Sequence, residues 1–142
     1  MKHLSHFALC LYTMILLVFF VSETRLTSLP YFMTKINLIP FAQLYDYIQL
    51  LWIHAINPNI VLRNTIGEII FVMPFGILLP ASFKNITLTK GLFITVLLGV
   101  LYSLIKYFTH LGSFDIDDLI YYVIGFTVGY SILHVHKTRS LS

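Results

Sequence analysis

The chain has six acidic residues in 142, and three of them, Asp115, Asp117 and Asp118, crowd into the turn Gly112-Ser-Phe-Asp-Ile-Asp-Asp-Leu119. Helix capping accounts for one or two acids in such a place. Ser113 or Asp115 can accept bonds from free N–H groups, and acids near a helix N-terminus are favoured by its dipole. A third acid is harder to explain beside long apolar segments, where charge is costly to submerge. Asp115 and Asp118, three apart, share a helical face. His110 stands five residues before Asp115, and carboxylates suit hard divalent cations. Without paired His or Cys ligands the set is too thin for a metal centre, so no metal site and no cofactor is expected. His134 and His136 read as boundary residues at the far end of the same segment.

A second polar set lies earlier. Asn64 and Glu68 are four apart, on one face of a helix that turns wholly apolar after them. An ionisable residue in such a helix is a functional candidate; pairing with Arg63 or Lys106 is the structural alternative. Asn64, Glu68, Lys106, Asp115, Asp117 and Asp118 together form the candidate polar cluster. No Gly-rich phosphate loop, Gly-x-Ser-x-Gly elbow or His-Glu-x-x-His motif is present, so catalytic residues and enzymatic activity both stay open.

The elements that position these residues are membrane spans. Hydrophobic residues make up 58% of the chain and charged residues 11%, against roughly 25% charged in soluble domains. A span needs about 20 apolar residues in a helix. Four stretches qualify or come close: His3–Ser22, Ile60–Leu79, Gly91–Phe108 and Leu119–His136. The first has a signal-peptide alternative, but its apolar run is long and Phe20 and Ser22 make a poor cleavage site. In the second, Pro74 predicts a kink near Met73. Lys90 and Lys106 bracket the third and can snorkel toward head groups. The fourth contains Gly125-x-x-x-Gly129, a spacing that lets helix backbones approach closely; packing within the chain is favoured over dimerisation. Phe41–Ile56 mixes Tyr45, Tyr47 and Trp52 with Gln43, Asp46, Gln49 and His54, and reads as a helix on the membrane surface or re-entering it. The expected fold is all-α, a single polytopic membrane domain over 1–142 with about four transmembrane helices and an interfacial segment after the first.

Lys and Arg placement puts both termini in the cytoplasm. Lys2, Lys84, Lys90, Lys137 and Arg139 then fall inside, and the acids on or near the outer side of the cell membrane. The net charge of +3 is spread out, so no nucleic-acid partner is expected. Cys10 stands alone, which excludes an intramolecular disulfide.

Three stretches in order carry a resemblance: Asn37-Leu-Ile-Pro-Phe41, then Arg63-Asn-Thr-Ile-Gly-Glu-Ile-Ile-Phe-Val-Met-Pro-Phe-Gly-Ile-Leu-Leu-Pro80, then Ser113-Phe-Asp-Ile-Asp-Asp-Leu-Ile120 followed by Gly125. From Asn37 to Tyr130 the chain resembles the VanZ-like family of small bacterial membrane proteins, whose founding member is associated with low-level resistance to teicoplanin. The resemblance implies structural roles for Asn37, Pro40, Phe41, Gly67, Pro74, Gly76 and Gly125. It also marks departures. The family pattern has Asn at Glu68, Glu-x-x-Gln where Lys106 and Thr109 stand, Arg at Gly112 and Asn at Tyr122. Glu68 and Lys106 would suit an ion pair between the second and third spans.

The functional expectation is action on a cell-envelope component at the outer membrane face, lowering sensitivity to teicoplanin or a related glycopeptide. The partners would be membrane lipid and a lipid-linked envelope component or the glycopeptide itself. Two alternatives come from other classes. One is a membrane enzyme acting on a lipid or isoprenoid head group. The other is a noncatalytic assembly or regulatory subunit, homo- or hetero-oligomeric through its membrane helices.

Overall fold

The computed structural model describes residues 2–26, 36–109 and 113–139. His110 and Gly112, named above beside the acidic turn, lie outside them. Among the described residues the fold is all-α apart from one two-residue strand pair. Helix α1 (Lys2–Leu26) is followed by strand β1 (Ile36–Asn37) and the short helix α2 (Ala42–Trp52). One continuous helical rod then contains α3 (Pro58–Leu62), a π-helical turn (Arg63–Gly67) and α4 (Glu68–Ser82). Helix α5 (Leu88–Phe108), strand β2 (Phe114–Asp115) and helix α6 (Ile116–Arg139) complete the chain.

Among the described residues, three helical rods, Pro58–Ser82, Leu88–Phe108 and Ile116–His136, are long and apolar enough to cross a membrane. At 1.5 Å per residue, the 21 residues of α5 reach about 31 Å, the thickness of a hydrocarbon core. The described apolar part of α1, Leu4–Val18, is shorter. The 11 residues of α2 extend only about 17 Å, which excludes it as a span.

Side-chain and backbone contacts order the helices in a row, α1–α4–α6–α5. Helices α1 and α4 are antiparallel: Ser82 Oγ donates to Ser5 O at 3.0 Å at one end, and the Tyr12 hydroxyl donates to Phe71 O further along. Helices α4 and α6 run parallel and touch backbone to backbone. A Cβ on Gly125 would lie 2.5 Å from Ile69 O, a Cβ on Gly129 would overlap Met73 O, and one on Gly76 would overlap the Phe126 carbonyl. The Gly125-x-x-x-Gly129 spacing therefore serves packing within the chain, with Gly76 as its counterpart on α4. Lipid tails are as apolar as Leu, so such helices associate through close van der Waals fit rather than hydrophobic transfer. Phe126, wholly buried, sets its backbone against Gly76 and its ring over Gly91 of α5. Helix α5 presents Gly91, Thr95, Gly99 and Ser103 to this seam, all buried. That four-residue period of small side chains is present in the sequence itself.

Helix α4 continues without interruption through Pro74 and Pro80. A departure from α geometry lies just before α4 begins its apolar stretch, in the π-helical turn Arg63–Gly67. Among the described side chains, Lys84, Lys90 and Arg139 are exposed at the end where α4 finishes and α6 finishes. Asp46, Glu68, Asp115, Asp117 and Asp118 lie at the opposite end, where α4 and α6 begin.

Candidate functional site

The site is built where α2 folds over the start of α6. The segment before α2 is knitted to α6 residue by residue. Strands β1 and β2 pair in parallel, Ile36 with Phe114 and Asn37 with Asp115. The Asn37 amide donates to both Asp115 oxygens at 3.2 and 3.3 Å, while its own oxygen accepts from Ile39 N at 3.1 Å. A turn follows in which Ala42 N donates to Ile39 O at 3.2 Å. Pro40 and Phe41 are its central residues, and Phe41 adopts φ 64°, ψ 8°. This is the third position of a type II turn, normally a glycine's place, and a bulky residue persists there only when its surroundings hold it.

Asp117 is what holds it. One carboxylate oxygen accepts from Phe41 N, and the other accepts from Gln43 N at 3.0 Å and Leu44 N at 3.3 Å. Asp117 thus caps α2 from a different helix, satisfying N–H groups that a helix start leaves without partners. Its exposure is 0%. Asp115 has a local task too: its Oδ1 accepts from Asp117 N at 3.1 Å, capping α6. The capping explanation therefore reaches two of the three acids, and it does so by tying separate elements together.

Asp118 makes the third connection. Lys106 Nζ lies 2.7 Å from its Oδ2, with side-chain exposures of 12% and 5%. The expectation that Lys106 snorkels to the head groups is corrected: it stands one turn beyond Ser103, so it faces α6 with the small-residue stripe, and its ammonium also lies 5.0 Å over the Tyr102 ring. Lys90, by contrast, is exposed. Glu68 is buried at the start of α4 and lies within electrostatic reach of Lys106. Asn64, in the π-helical turn, donates to the Tyr47 hydroxyl at 2.9 Å.

Tyr47 is a second correction. Composition groups it with Tyr45 and Trp52 as an interfacial aromatic, yet it is 3% exposed while Trp52 is 86% exposed. Helix α2 turns Tyr47 inward with Leu50 and Leu51, toward Ile56 and Val61. Its other side leaves Tyr45, Ile48 and Trp52 uncovered, beside Leu38, Ile39 and Phe41. Tyr121 on α6 completes the cluster. It is buried, and Asp117, Glu68, Asp118 and Asp115 all act on it electrostatically. Sequence reasoning missed Tyr121. Its signal would have been its place one turn after Asp117 and Asp118, on the face they occupy.

Two groups here titrate away from their ordinary ranges. Burial pushes the Asp115 carboxyl up to about 6; the Asp117 N–H and the Asn37 amide oppose this, and the nearby charges of Asp118 and Asp117 reinforce it. Burial also raises the Tyr47 hydroxyl well above its usual range; the bond from Asn64 opposes the rise, and Asp118, Glu68 and Asp115 add to it. All six residues of the expected cluster are thus gathered at one end of the bundle. Among the described residues, no three His, Cys, Asp or Glu side chains form a metal-holding group.

An apolar helical bundle that buries four carboxyl groups and a lysine at one end is an all-α membrane protein with a polar cluster where α4 and α6 begin. The chain belongs to the VanZ/LLP1 family, whose model matches residues 6–137. A relative, Protein VanZ of Enterococcus faecium, is 27% identical over 136 residues, covering 93% of this chain and 75% of its own length. No solved structure matches.

Proposed function

We propose that this protein is a multi-pass membrane protein that acts on a lipid-linked component of the cell envelope at the outer membrane face, and so lowers sensitivity to teicoplanin or a related glycopeptide. The observation that carries the reading is the position of the polar cluster. It is buried where the apolar rods end, under a helix whose outer side exposes Tyr45, Ile48 and Trp52. Such a helix suits the boundary between head groups and acyl chains, with aromatic side chains at the level of the head groups. A polar group of a membrane-anchored molecule can reach the cluster from there without leaving the bilayer. The exposed cations Lys84, Lys90 and Arg139 at the other end favour that end as cytoplasmic. The phenotype itself comes from the family resemblance.

The test is teicoplanin susceptibility in a sensitive Gram-positive host carrying empty vector, this protein, or the Asp115→Asn/Asp118→Asn variant at matched membrane abundance. Protection by the wild type that the variant loses is expected. Absence of protection by the wild type would overturn the teicoplanin reading.

A further inference from the structure

The cluster holds a charge imbalance and an unused hydroxyl in the same place. Glu68, Asp115, Asp117 and Asp118 are four buried carboxyl groups, and the Lys106 ammonium pairs with one of them, Asp118. The N–H groups at the starts of α2 and α6, which Asp117 and Asp115 cap, offset part of this acidic excess. The Tyr121 side chain is only 6% exposed, and among the described residues nothing hydrogen-bonds to its hydroxyl. That hydroxyl lies within electrostatic reach of all four carboxylates. The Ser103 hydroxyl, wholly buried one turn before Lys106, is likewise without a partner among the described residues. Buried polar atoms in folded proteins are nearly always paired, so such a hydroxyl calls for a polar group that belongs beside it.

We propose that the Tyr121 hydroxyl and the buried carboxylates that act on it bind a primary ammonium group carried on a membrane amphiphile. An ammonium supplies positive charge and three donors. One donor meets the Tyr121 oxygen and the others meet carboxylate oxygens of Glu68 and its neighbours. The rings of Tyr47 and Tyr121 add attraction for an organic cation. The chain already shows this mode of recognition, since the Lys106 ammonium rests on Asp118 and over Tyr102. The apolar outer side of α2 fits an amphiphile whose tail stays in the bilayer. This inference deepens the functional reading above, because it names the chemical group that the envelope component would offer.

The experiment uses the purified full-length chain in one detergent and follows thermal unfolding against added dihexanoyl phosphatidylethanolamine, dihexanoyl phosphatidylcholine or free ethanolamine. The ethanolamine lipid is expected to raise the midpoint saturably, and the choline lipid, which has no N–H donor, is expected to leave it unchanged. Tyr121→Phe removes only an unpaired hydroxyl, so it folds normally and weakens the apparent affinity about ten-fold, as loss of one bond to a charged group does. Glu68→Gln abolishes the saturable response. Equal responses to the two lipids, or wild-type affinity in Tyr121→Phe, would overturn the ammonium site. An equal response to free ethanolamine would overturn the amphiphile as its source. Selective binding without teicoplanin protection would sink the functional reading alone, and protection without head-group selectivity would sink this inference alone.

Discussion

Along the seam between α4 and α6, nothing larger than hydrogen fits at Gly76, Gly125 or Gly129; under α2, contacts are made by carboxylates to N–H groups, by an ion pair and by side-chain amides. The seam depends on distance alone and is indifferent to pH. The cluster depends on charge and on each partner being present. A bundle in lipid can use the first kind of contact over its whole length, because close packing needs no solvent to drive it. The second kind is confined to one end, where α2 is tied to the start of α6.

The largest effect is expected at the seam. Gly129→Leu drives a side chain into the Met73 carbonyl, a backbone atom that cannot step aside. The loss should be about 4 kcal/mol or more, at the extreme end for single substitutions, and should show as loss of membrane abundance and of cooperative unfolding. A variant that accumulates normally and unfolds at the wild-type midpoint would mean that α4 and α6 do not meet here.

Breaking the buried ion pair comes next and separates fold from function. Lys106→Met leaves Asp118 submerged without its counter-ion and should cost about 3–5 kcal/mol. Lys106→Met with Asp118→Leu replaces charge by apolar volume and should restore stability to within about 1 kcal/mol of wild type, read by unfolding in detergent. If the double variant regains stability but gives no protection in the susceptibility assay, the pair belongs to the site. If it regains both, the pair only joins α5 to α6.

Asp115 gives a smaller and graded effect. Its folded-state value of about 6 stands above the ordinary 3.8. The unfolded chain therefore ionises first as pH rises, so the contribution is full below about pH 4 and is lost by about pH 6 to 7. The gap of about two units corresponds to at most 2–3 kcal/mol. The unfolding midpoint of the wild type, minus that of Asp115→Asn, should decline across this window and be level above it. A flat difference would mean that Asp115 is not held away from water.

The sequence made the helices legible because the lipid-facing rods are long and nearly uncharged, and charged residues mark their limits. It also supplied every acid in the cluster, and the Gly125–Gly129 spacing pointed to the right kind of contact. What it could not show is which acid meets which partner. Asp117 reaches back 74 positions to Gln43 N, and backbone N–H groups leave no trace in residue identity. Lys106 looked like a boundary lysine because its position one turn after Ser103 matters only once α6 is known to lie against that face. Tyr47 looked interfacial for the same reason: aromatic composition announces a boundary helix, and only packing decides which ring turns inward.

Gly67 sharpens the comparison with the smallest effect. It sits beside the cluster, in the π-helical turn, and it resembles the seam glycines only in identity. A Cβ there would meet nothing closer than 3.7 Å, and its φ of −57° and ψ of −46° suit any residue. On sterics alone, Gly67→Ala should stabilise the chain by up to about 1 kcal/mol, because glycine loses more backbone freedom on folding. A gain in unfolding midpoint with unchanged teicoplanin protection would make Gly67 a neutral bystander. A gain in stability with protection lost would give it a different meaning. The π-helical turn carries Asn64 against Tyr47, and such turns recur at functional sites; stiffening it would then hold the α2 cover closed over the cluster. The same substitution at Gly125 would press against Ile69 O at 2.5 Å and lower stability outright. The pair of variants therefore distinguishes a glycine kept for room from one kept for movement.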